Sequence, residues 1–266
     1  MQVEAVVFDW AGTVVDFGSM APVYGFQSTF ADFGIDTTIE QVRAFMGMEK
    51  RRHIEEVLAL PEVAAQWLEK KGAPPTNDDI DEIYLAFIPQ QIACIAENSV
   101  LIPGAAGVAS FLHQNDIKIG TTTGYSRAMI RDMLQSAQAQ GFDPDFVVAS
   151  DEIAANRPAA AGALKNLAEF DVFAVHNCIK VDDTVIGIDE GLNAGMWTVA
   201  VALSGNALGI SQAEWDAQDS DSAEILRANA YEQFSDCGVH FVIDTVADFE
   251  GVVKEIDAML ARGEKP

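Results

Sequence analysis

Six short apolar runs, rich in β-branched residues, recur along the chain and are separated by stretches with helical spacing. The runs are VEAVVFD, IKIGTTTG, FVVAS, CIKVDD, TVAVAL and HFVID. Amphipathic stretches such as residues 105–114 and 127–140 lie between runs. Strands that alternate with helices pack as a parallel sheet covered by helices on both faces. The sequence therefore predicts an α/β fold with a doubly wound, Rossmann-like parallel sheet.

The interval between the first and second runs is about a hundred residues, far longer than an ordinary connection in an α/β unit. Between residues 21 and 98 the apolar spacing is helical, in IEQVRAFMGMEKRRHIEEVLAL, EVAAQWLEKK and NDDIDEIYLAFIPQQIACIAE. We therefore predict a helical cap domain at 21–98, inserted into a core formed by 1–20 and 99–266. The segment SVLIPG, 99–104, is the predicted return hinge.

The overall charge argues against several classes of partner. Acidic residues outnumber basic ones by 41 to 16, and a net charge of −25 repels nucleic acid and anionic lipid. No apolar run is long enough to span a bilayer, and we expect no signal peptide ahead of the first strand. The three cysteines show neither disulfide nor zinc spacing. We expect a soluble, cytoplasmic protein that binds neither nucleic acid nor membrane.

Polar residues follow three of the predicted strands, at the sheet edge where α/β folds bind ligands. Asp9 could attack phosphorus as a carboxylate nucleophile or simply cap a turn. Thr123 and Gly124 offer a hydroxyl and an unhindered amide to a phosphoryl oxygen, although a glycine turn alone explains them. Arg157, in the loop after the third run, could clamp a phosphoryl or phosphonyl group or be a solvated loop arginine.

The fourth run ends in two acids, Asp182 and Asp183. Carboxylates suit Mg²⁺, which prefers oxygen ligands and usually takes only one or two of them from the protein. Because neighbouring side chains on a strand point to opposite faces, we expect only one of the two, Asp183, to reach the metal. A solvated acidic turn is the alternative.

The predicted cap carries a basic segment, MGMEKRRHI, in which Lys50 and His53 share one helix face. Nearby cations and desolvation both lower the pKa of a lysine, which is the condition for an amine that forms Schiff bases. Most helix lysines are solvated, so the segment alone is weak evidence.

The DWAGT motif at residues 9–13 lacks an acid that is common elsewhere. Phosphoryl-transfer enzymes often have a second acid two residues after the nucleophile, and this chain has Ala11 at that position.

These motifs resemble the haloacid dehalogenase superfamily and, within it, the phosphonoacetaldehyde hydrolase family. The similarity rests on DWAGT, FGSMAP, MGMEKRRH, KIGTTTGYSR, KVDD and GLNAGMWTV, and it spans essentially the whole chain. It implies a Rossmann-like haloacid dehalogenase core with an inserted helical cap, Mg²⁺ as cofactor, and a homodimer that pairs through the cap. It also implies a reaction in which phosphonoacetaldehyde and water give acetaldehyde and phosphate.

The resemblance assigns roles to individual residues. It makes Lys50 the amine that forms an imine with the aldehyde, and Asp9 the nucleophile that attacks phosphorus. It implies roles for seven further residues: phosphoryl binding by Thr123, Gly124 and Arg157, proton transfer by His53, an aldehyde pocket at Met46, and a metal site that Asp9 shares with the Ala11 carbonyl and Asp183.

The chain departs from the family pattern at several positions. Asn156 replaces a usual glycine, AAAGA follows Pro158, and Gly187 stands where many relatives have an acid. Two other functions stay open. A phosphate-ester phosphatase or phosphomutase on this fold would need an acid to protonate the departing alkoxide, which Ala11 cannot do. A catalytically silent relative is the other, although Asp9, Lys50, Thr123 and Asp183 are all retained.

Overall fold

The computed structural model describes residues 1–266. Its six strands form one all-parallel sheet in the order β3-β2-β1-β4-β5-β6, with β1 in contact with β2 and β4. The strands are β1 Ala5–Phe8, β2 Lys118–Thr122, β3 Phe146–Val148, β4 Cys178–Asp182, β5 Trp197–Val201 and β6 Phe241–Ile243. The predicted doubly wound α/β fold is confirmed.

Twelve α-helices accompany the sheet. Five of them lie between β1 and the helix that leads into β2. They are α1 Met20–Asp32, α2 Ile39–Arg43, α3 Lys50–Ala59, α4 Pro61–Lys71 and α5 Asn77–Asn98. The others are α6 Ala105–Gln114, α7 Arg127–Ala139, α8 Ala161–Glu169, α9 Val185–Ala194, α10 Gln212–Asp216, α11 Ser220–Glu232 and α12 Phe249–Ala261. None of them has both the length and the apolar character needed to cross a lipid bilayer.

The central strands β1, β4 and β5 are buried on both faces, which explains why most of their residues are apolar. Phe8 of β1 packs edge-on against Phe142 and Phe249, from the helical layer on one side of the sheet. Ala5 and Val7 point to the other side, where they pack against Leu167 in a smaller cluster. A sheet covered on both faces leaves its carboxyl edge as the natural place for a site.

Helices α1 to α5 lie between β1 and β2, where the sequence predicted a helical insertion. The long helical pattern that begins at Ile39 is interrupted in the structure, because α2 ends at Arg43 and α3 starts only at Lys50. Gly47 has a φ of +89°, and a Cβ there would lie 2.4 Å from Ile186 Cγ2. The interruption presses the insertion against the core and makes Lys50 the first residue of α3.

Two chain crossings connect the insertion to the core, and they are hydrogen-bonded to each other. The Asp16 N–H donates to the Val100 carbonyl, and the Ile102 N–H donates to the Val14 carbonyl. Asp16 also accepts bonds from the first amides of α1, at 3.0 Å from Met20 N. The predicted return hinge at 99–104 falls on one of these crossings. The division of the chain into two domains stays a prediction.

Candidate active site

The carboxyl ends of β1, β2 and β4 meet at one edge of the sheet. Asp9, Thr123 and Asp183 follow these strands directly and line one small cavity there. The helical insertion closes the cavity from above with Lys50, the first residue of α3. The predicted site residues that line this cavity are Asp9, Ala11, Met46, Lys50, Thr123, Gly124, Arg157 and Asp183.

Gly124 marks a close approach between the core and the insertion. A Cβ at this position would lie 2.4 Å from the Met48 carbonyl oxygen and 3.0 Å from the Gly47 carbonyl oxygen. Only a glycine lets the turn after β2 pass this near to the segment before α3. The side-chain hydroxyl of Thr123 accepts a bond from the Tyr125 N–H at 3.1 Å, which fixes the turn.

Arg157 is a buried side chain that connects three carboxylates. Its Nη2 lies 2.8 Å from Asp9 Oδ1, its Nη1 3.3 Å from Asp182 Oδ2, and its Nε 3.0 Å from Glu190 Oε2. Burial opposes the charged guanidinium, but the three carboxylates outweigh it and raise the pKa of Arg157. The alternative of a solvated loop arginine is therefore excluded by its burial and contacts.

Asp9 is also buried, at the end of β1. Burial is the main cause that raises the pKa of its carboxyl to about 6, against the opposing effect of Arg157. The group is thus mostly ionised at neutral pH.

Lys180 and Glu190 extend this network, and sequence reasoning missed both. Lys180 Nζ lies 3.0 Å from Asp182 Oδ2 and 3.2 Å from Glu190 Oε2, and it donates to Thr122 Oγ1 at 2.8 Å. Glu190, on α9, has no signal of its own in the sequence. Lys180 does: a lysine inside an apolar central strand must find a buried partner, because an unpaired buried charge is costly.

Lys50 is buried among aromatic rings. Its Nζ lies 4.8 Å from the centre of the Tyr125 ring and 5.6 Å from that of Phe26. Desolvation is the main cause that lowers the pKa of Lys50 to about 8, while the charge of Asp9 acts in the opposite direction. Roughly a tenth of the amine is thereby neutral at pH 7, compared with less than about a thousandth for an ordinary lysine, and the neutral form is the one that a Schiff-base lysine requires.

His53 lies one turn after Lys50 but does not line the cavity. Its ring is buried against Phe26, with 4.0 Å between ring centres, and its Nε2 is 2.8 Å from the Val42 carbonyl. Burial and the charge of Lys50 lower the pKa of His53 well below its usual range. The imidazole is therefore neutral, and its Nδ1 has no partner.

Only Asp183 of the two acids at the end of β4 was expected to reach a metal, and this stays a prediction. Asp9, Asp182 and Asp183 each offer a carboxylate oxygen, and these oxygens lie within 4.8 Å of one another. The Thr184 hydroxyl donates to Asp182 Oδ1 at 2.7 Å and holds its carboxylate in place.

This cluster of carboxylates could hold a metal ion. Burial, followed by the charges of Asp9 and Asp182, raises the pKa of Asp183 well above its usual range. By contrast, Arg157 and Lys180 overcome the effect of burial on Asp182 and hold its pKa below the ordinary value. Asp182 thus already has its cations, whereas Asp183 has none in contact. A hard cation bound by oxygen ligands would supply that missing charge.

Gly187 owes its identity to the Asp182 side chain. A Cβ at 187 would lie 2.0 Å from Asp182 Cγ. The carboxylate of Asp182 therefore occupies the space in which a side chain at 187 would begin.

A model of the haloacid dehalogenase-like hydrolase family matches residues 3–195, which carry every site residue described above. The chain belongs to this family. The matched region of this haloacid dehalogenase-like hydrolase includes the whole helical insertion. It also includes Asp9, Thr123, Arg157 and Asp183.

Curated relatives of this haloacid dehalogenase-like hydrolase match along its full length. The phosphonoacetaldehyde hydrolase of Paraburkholderia xenovorans (strain LB400) is 47% identical over 264 residues, covering 99% of each chain. That of Bordetella avium (strain 197N) is 44% identical and covers 100% of this chain and 95% of its own. The resemblance inferred from the sequence motifs is thereby confirmed.

Solved structures agree with the fold. A phosphonoacetaldehyde hydrolase-like protein from Oleispira antarctica superimposes with a TM-score of 0.98 at 43% identity, covering 100% of this chain and 96% of its own. A β-phosphoglucomutase from Clostridium difficile gives a TM-score of 0.70 at 17% identity, covering 97% and 99%. The second likeness shows that the helical insertion and the core are shared, and concerns the fold alone.

Proposed function

We propose that this hydrolase cleaves the carbon-phosphorus bond of phosphonoacetaldehyde, with acetaldehyde and phosphate as products. The observation that carries the proposal is the placement of a buried lysine amine, Lys50, in one cavity with the strand-end carboxylate Asp9. Full-length relatives named phosphonoacetaldehyde hydrolase support it.

The reaction begins at Lys50. Its neutral amine adds to the aldehyde carbon, and loss of one water leaves an imine that is protonated on nitrogen. This iminium is an electron sink two bonds from phosphorus. Burial among the rings of Phe26 and Tyr125 favours the neutral amine that the first addition needs.

Asp9 then attacks phosphorus. The carbon-phosphorus bond breaks, its electron pair moves into the iminium to give an enamine, and an aspartyl phosphate forms on Asp9. Water hydrolyses the aspartyl phosphate and releases phosphate. The enamine takes a proton on carbon, and water hydrolyses the resulting iminium to acetaldehyde and free Lys50. Imine formation releases one water, and hydrolysis of the aspartyl phosphate and of the final iminium consumes one each. The net reaction therefore consumes one water.

Other residues hold the substrate. We assign the phosphonyl oxygens to the Thr123 hydroxyl, the Gly124 amide and the guanidinium of Arg157, a fork of donors suited to an oxyanion. Met46 lines the cavity beside Lys50 and would contact the aldehyde. His53 stays a proposed proton carrier for the imine steps, through the Nδ1 that has no other partner.

The proposed metal site comprises Asp9, the carbonyl of Ala11 and Asp183. Bound Mg²⁺ would supply positive charge that offsets the clustered carboxylates and polarises a phosphonyl oxygen. On the side of the protein, the task of these residues is to present their oxygens together, which Asp9 and Asp183 do at the ends of adjacent strands.

Ala11 favours this reaction over the hydrolysis of a phosphate ester. An ester releases an alkoxide, which needs a proton as it departs. A carbanion that is delocalised into a lysine imine needs none at that moment. Ala11 lines the cavity without any ionisable group, so the position where such an acid is common cannot protonate a leaving group.

Trapping the imine tests the proposal. The protein is incubated with phosphonoacetaldehyde and borohydride, and the adduct is mapped by mass spectrometry. We expect a reduced two-carbon adduct on Lys50 and none in Lys50→Arg. The buried Lys180 is an internal control, since it has the same functional group but does not line the cavity.

Two other outcomes would overturn the proposal. Release of phosphate from simple esters without any adduct on Lys50 would point to a phosphatase. A protein inert towards both classes of substrate in the presence of Mg²⁺ would be a silent relative.

Two further properties complete the proposal. We propose a homodimer that pairs through the helical insertion, where Tyr24 on α1 and Leu85 on α5 expose apolar side chains. Sedimentation equilibrium would measure its mass, and Leu85→Lys is expected to weaken it. We also propose that the enzyme works in the cytoplasm, where its cysteines Cys94, Cys178 and Cys237 stay reduced.

A further inference from the structure

Arg43, the last residue of α2, reaches from the helical insertion into the core. Its Nη1 donates to Asn206 Oδ1 at 2.9 Å, and its Nη2 donates to the carbonyls of Gly18 at 2.9 Å and Gly209 at 3.2 Å. One guanidinium thus joins the insertion to the loop after β5 and to the crossing before α1. No acid lies in direct contact with it, and all its acceptors are neutral, including Met20 Sδ at 3.2 Å.

The loop after β5 also sets Asp183. The backbone N–H of Asn206 donates to Asp183 Oδ2 at 2.7 Å. A Cβ at Gly205 would lie 2.2 Å from Asp183 Cβ, and a Cβ at Gly12 would lie 2.2 Å from Asp183 Oδ2. The Asp183 side chain is therefore confined between two glycines, and the Asn206 amide selects the direction of its carboxylate.

Arg43 and Asp183 are consequently hydrogen-bonded to the same residue, Asn206, one through its side chain and the other through its backbone. Arg43 holds the side chain of Asn206, and Asp183 is held by its backbone. The guanidinium can make these bonds only when the insertion sits against the core, which is also when Lys50 enters the cavity.

We propose that Arg43 is a positioning residue that couples closure of the helical insertion to the orientation of Asp183 through Asn206. The inference rests on the proposed function in one respect, namely that Asp183 binds the metal. Closure then favours metal binding, and metal binding favours closure by the same factor, because such coupling is reciprocal. The site is assembled completely only when lysine and metal ligand are both in place.

Metal affinity tests the first half of the coupling. Isothermal titration of Mg²⁺ into the metal-free protein, without substrate, compares wild type with Arg43→Met, Asn206→Ala and the double variant. We expect each single change to weaken binding by about tenfold, within the usual range for coupled sites. The double variant should be no weaker than the worse single one, because both remove the same connection.

Arg52→Met is the matched control. Arg52 is also a cationic residue of the insertion, but it is exposed and pairs with Glu56 at 3.6 Å. Its replacement should leave Mg²⁺ affinity unchanged. Arg43→Lys keeps the charge and should recover part of the affinity, which also guards against a variant that fails to fold.

Hydrogen exchange tests the reciprocal half. Mg²⁺ should slow exchange of the amides in α3 of the wild type, and this protection should disappear in Arg43→Met but persist in Arg52→Met. Unchanged Mg²⁺ affinity in folded Arg43→Met, or effects of the two single changes that multiply in the double variant, would overturn the proposal.

These measurements use neither aldehyde nor borohydride. A failure to trap an imine on Lys50 would remove the proposed reaction but leave the metal titrations standing. Conversely, metal titrations that show no coupling would remove the role of Arg43 but leave the proposed reaction at Lys50 standing.

Discussion

The guanidinium of Arg157 lies 2.8 Å from the carboxylate of Asp9, and both side chains are buried. The same guanidinium also pairs with Asp182 and Glu190. Asp9, the proposed nucleophile, is therefore held by a guanidinium that also neutralises two other buried acids, so loss of Arg157 should affect both folding and catalysis.

We predict that Arg157→Met lowers the free energy of unfolding by about 3–5 kcal/mol, because it leaves buried carboxylates without their cation. Arg157→Lys should cost less stability, since it keeps the charge, yet still lose activity because it lacks the fork. Arg127→Met is the control: Arg127 pairs with Glu152 at 2.7 Å, is partly exposed, and should cost ~1 kcal/mol or less. Urea unfolding measures all three. Equal costs for Arg157→Met and Arg127→Met would contradict the burial argument.

The rate of imine formation should follow the ionisation of Lys50. Desolvation lowers the pKa of this amine to about 8, so the neutral fraction rises with pH and reaches one half there. We expect the borohydride-trapping rate to increase about tenfold per pH unit well below 8 and to level off above it. A midpoint near the ordinary lysine pKa would show that burial does not tune the amine.

The same shift has a consequence for stability. Below pH 8 the amine is charged in both the folded and the unfolded chain, and its burial has its full cost. Between about pH 8 and the ordinary lysine pKa of 10.5, the folded state has lost the proton and the unfolded state still binds it, so stability rises with pH. Lys50→Met should be more stable than wild type at pH 7, and thermal unfolding at higher pH should show the difference shrinking.

Position 187 gives a prediction about compensation. Because the Asp182 carboxylate lies where a Cβ at 187 would be, Gly187→Asp alone should be strained and lose about 1–3 kcal/mol. Asp182→Gly alone should also destabilise, since it leaves Lys180 and Arg157 short of a partner. Together the two changes should cost less than the sum of the single ones, as measured in a double-mutant cycle. Strict additivity would mean that the two positions do not share the space.

The sheet and most of the candidate site could be predicted from the sequence, because parallel strands bring their carboxyl ends to one edge of a sheet. Asp9, Thr123 and Asp183 could be grouped from chain order alone for that reason. Lys50 could be placed above them only through the family resemblance, since nothing local shows where an inserted helix will dock.

Long-range pairing explains what was missed. Glu190 looks like an ordinary helix acid until α9 packs on β4 and brings it to Lys180 and Arg157. The break between α2 and α3 was also hidden, because apolar spacing continues across Gly47 while the backbone turns there. Periodicity reports which residues face the interior and does not report where the chain changes direction to meet another element.

Clustered carboxylates make metal binding depend on pH, with a definite sign. Burial raises the pKa of Asp9 from 3.8 to about 6 and that of Asp183 in the same direction. The metal-free folded state therefore binds more protons than the unfolded state from about pH 4 up to the raised values, and it loses stability as pH rises through that window. A bound cation removes the cause, because it favours the ionised form of both groups.

We therefore predict that a fixed concentration of Mg²⁺ raises the unfolding temperature by a larger amount at pH 7 than at pH 5, since at pH 5 the ion must displace protons from Asp9 and Asp183. Differential scanning calorimetry with and without Mg²⁺ measures the increase at each pH. Asp183→Asn should abolish most of it. Asp189→Asn, in an acid of α9 outside the carboxylate cluster, should preserve it. Only ligands with raised pKa values connect binding of the ion to the release of protons. An increase that is the same at both pH values would therefore show that the ion binds elsewhere, and so would an increase that survives in Asp183→Asn.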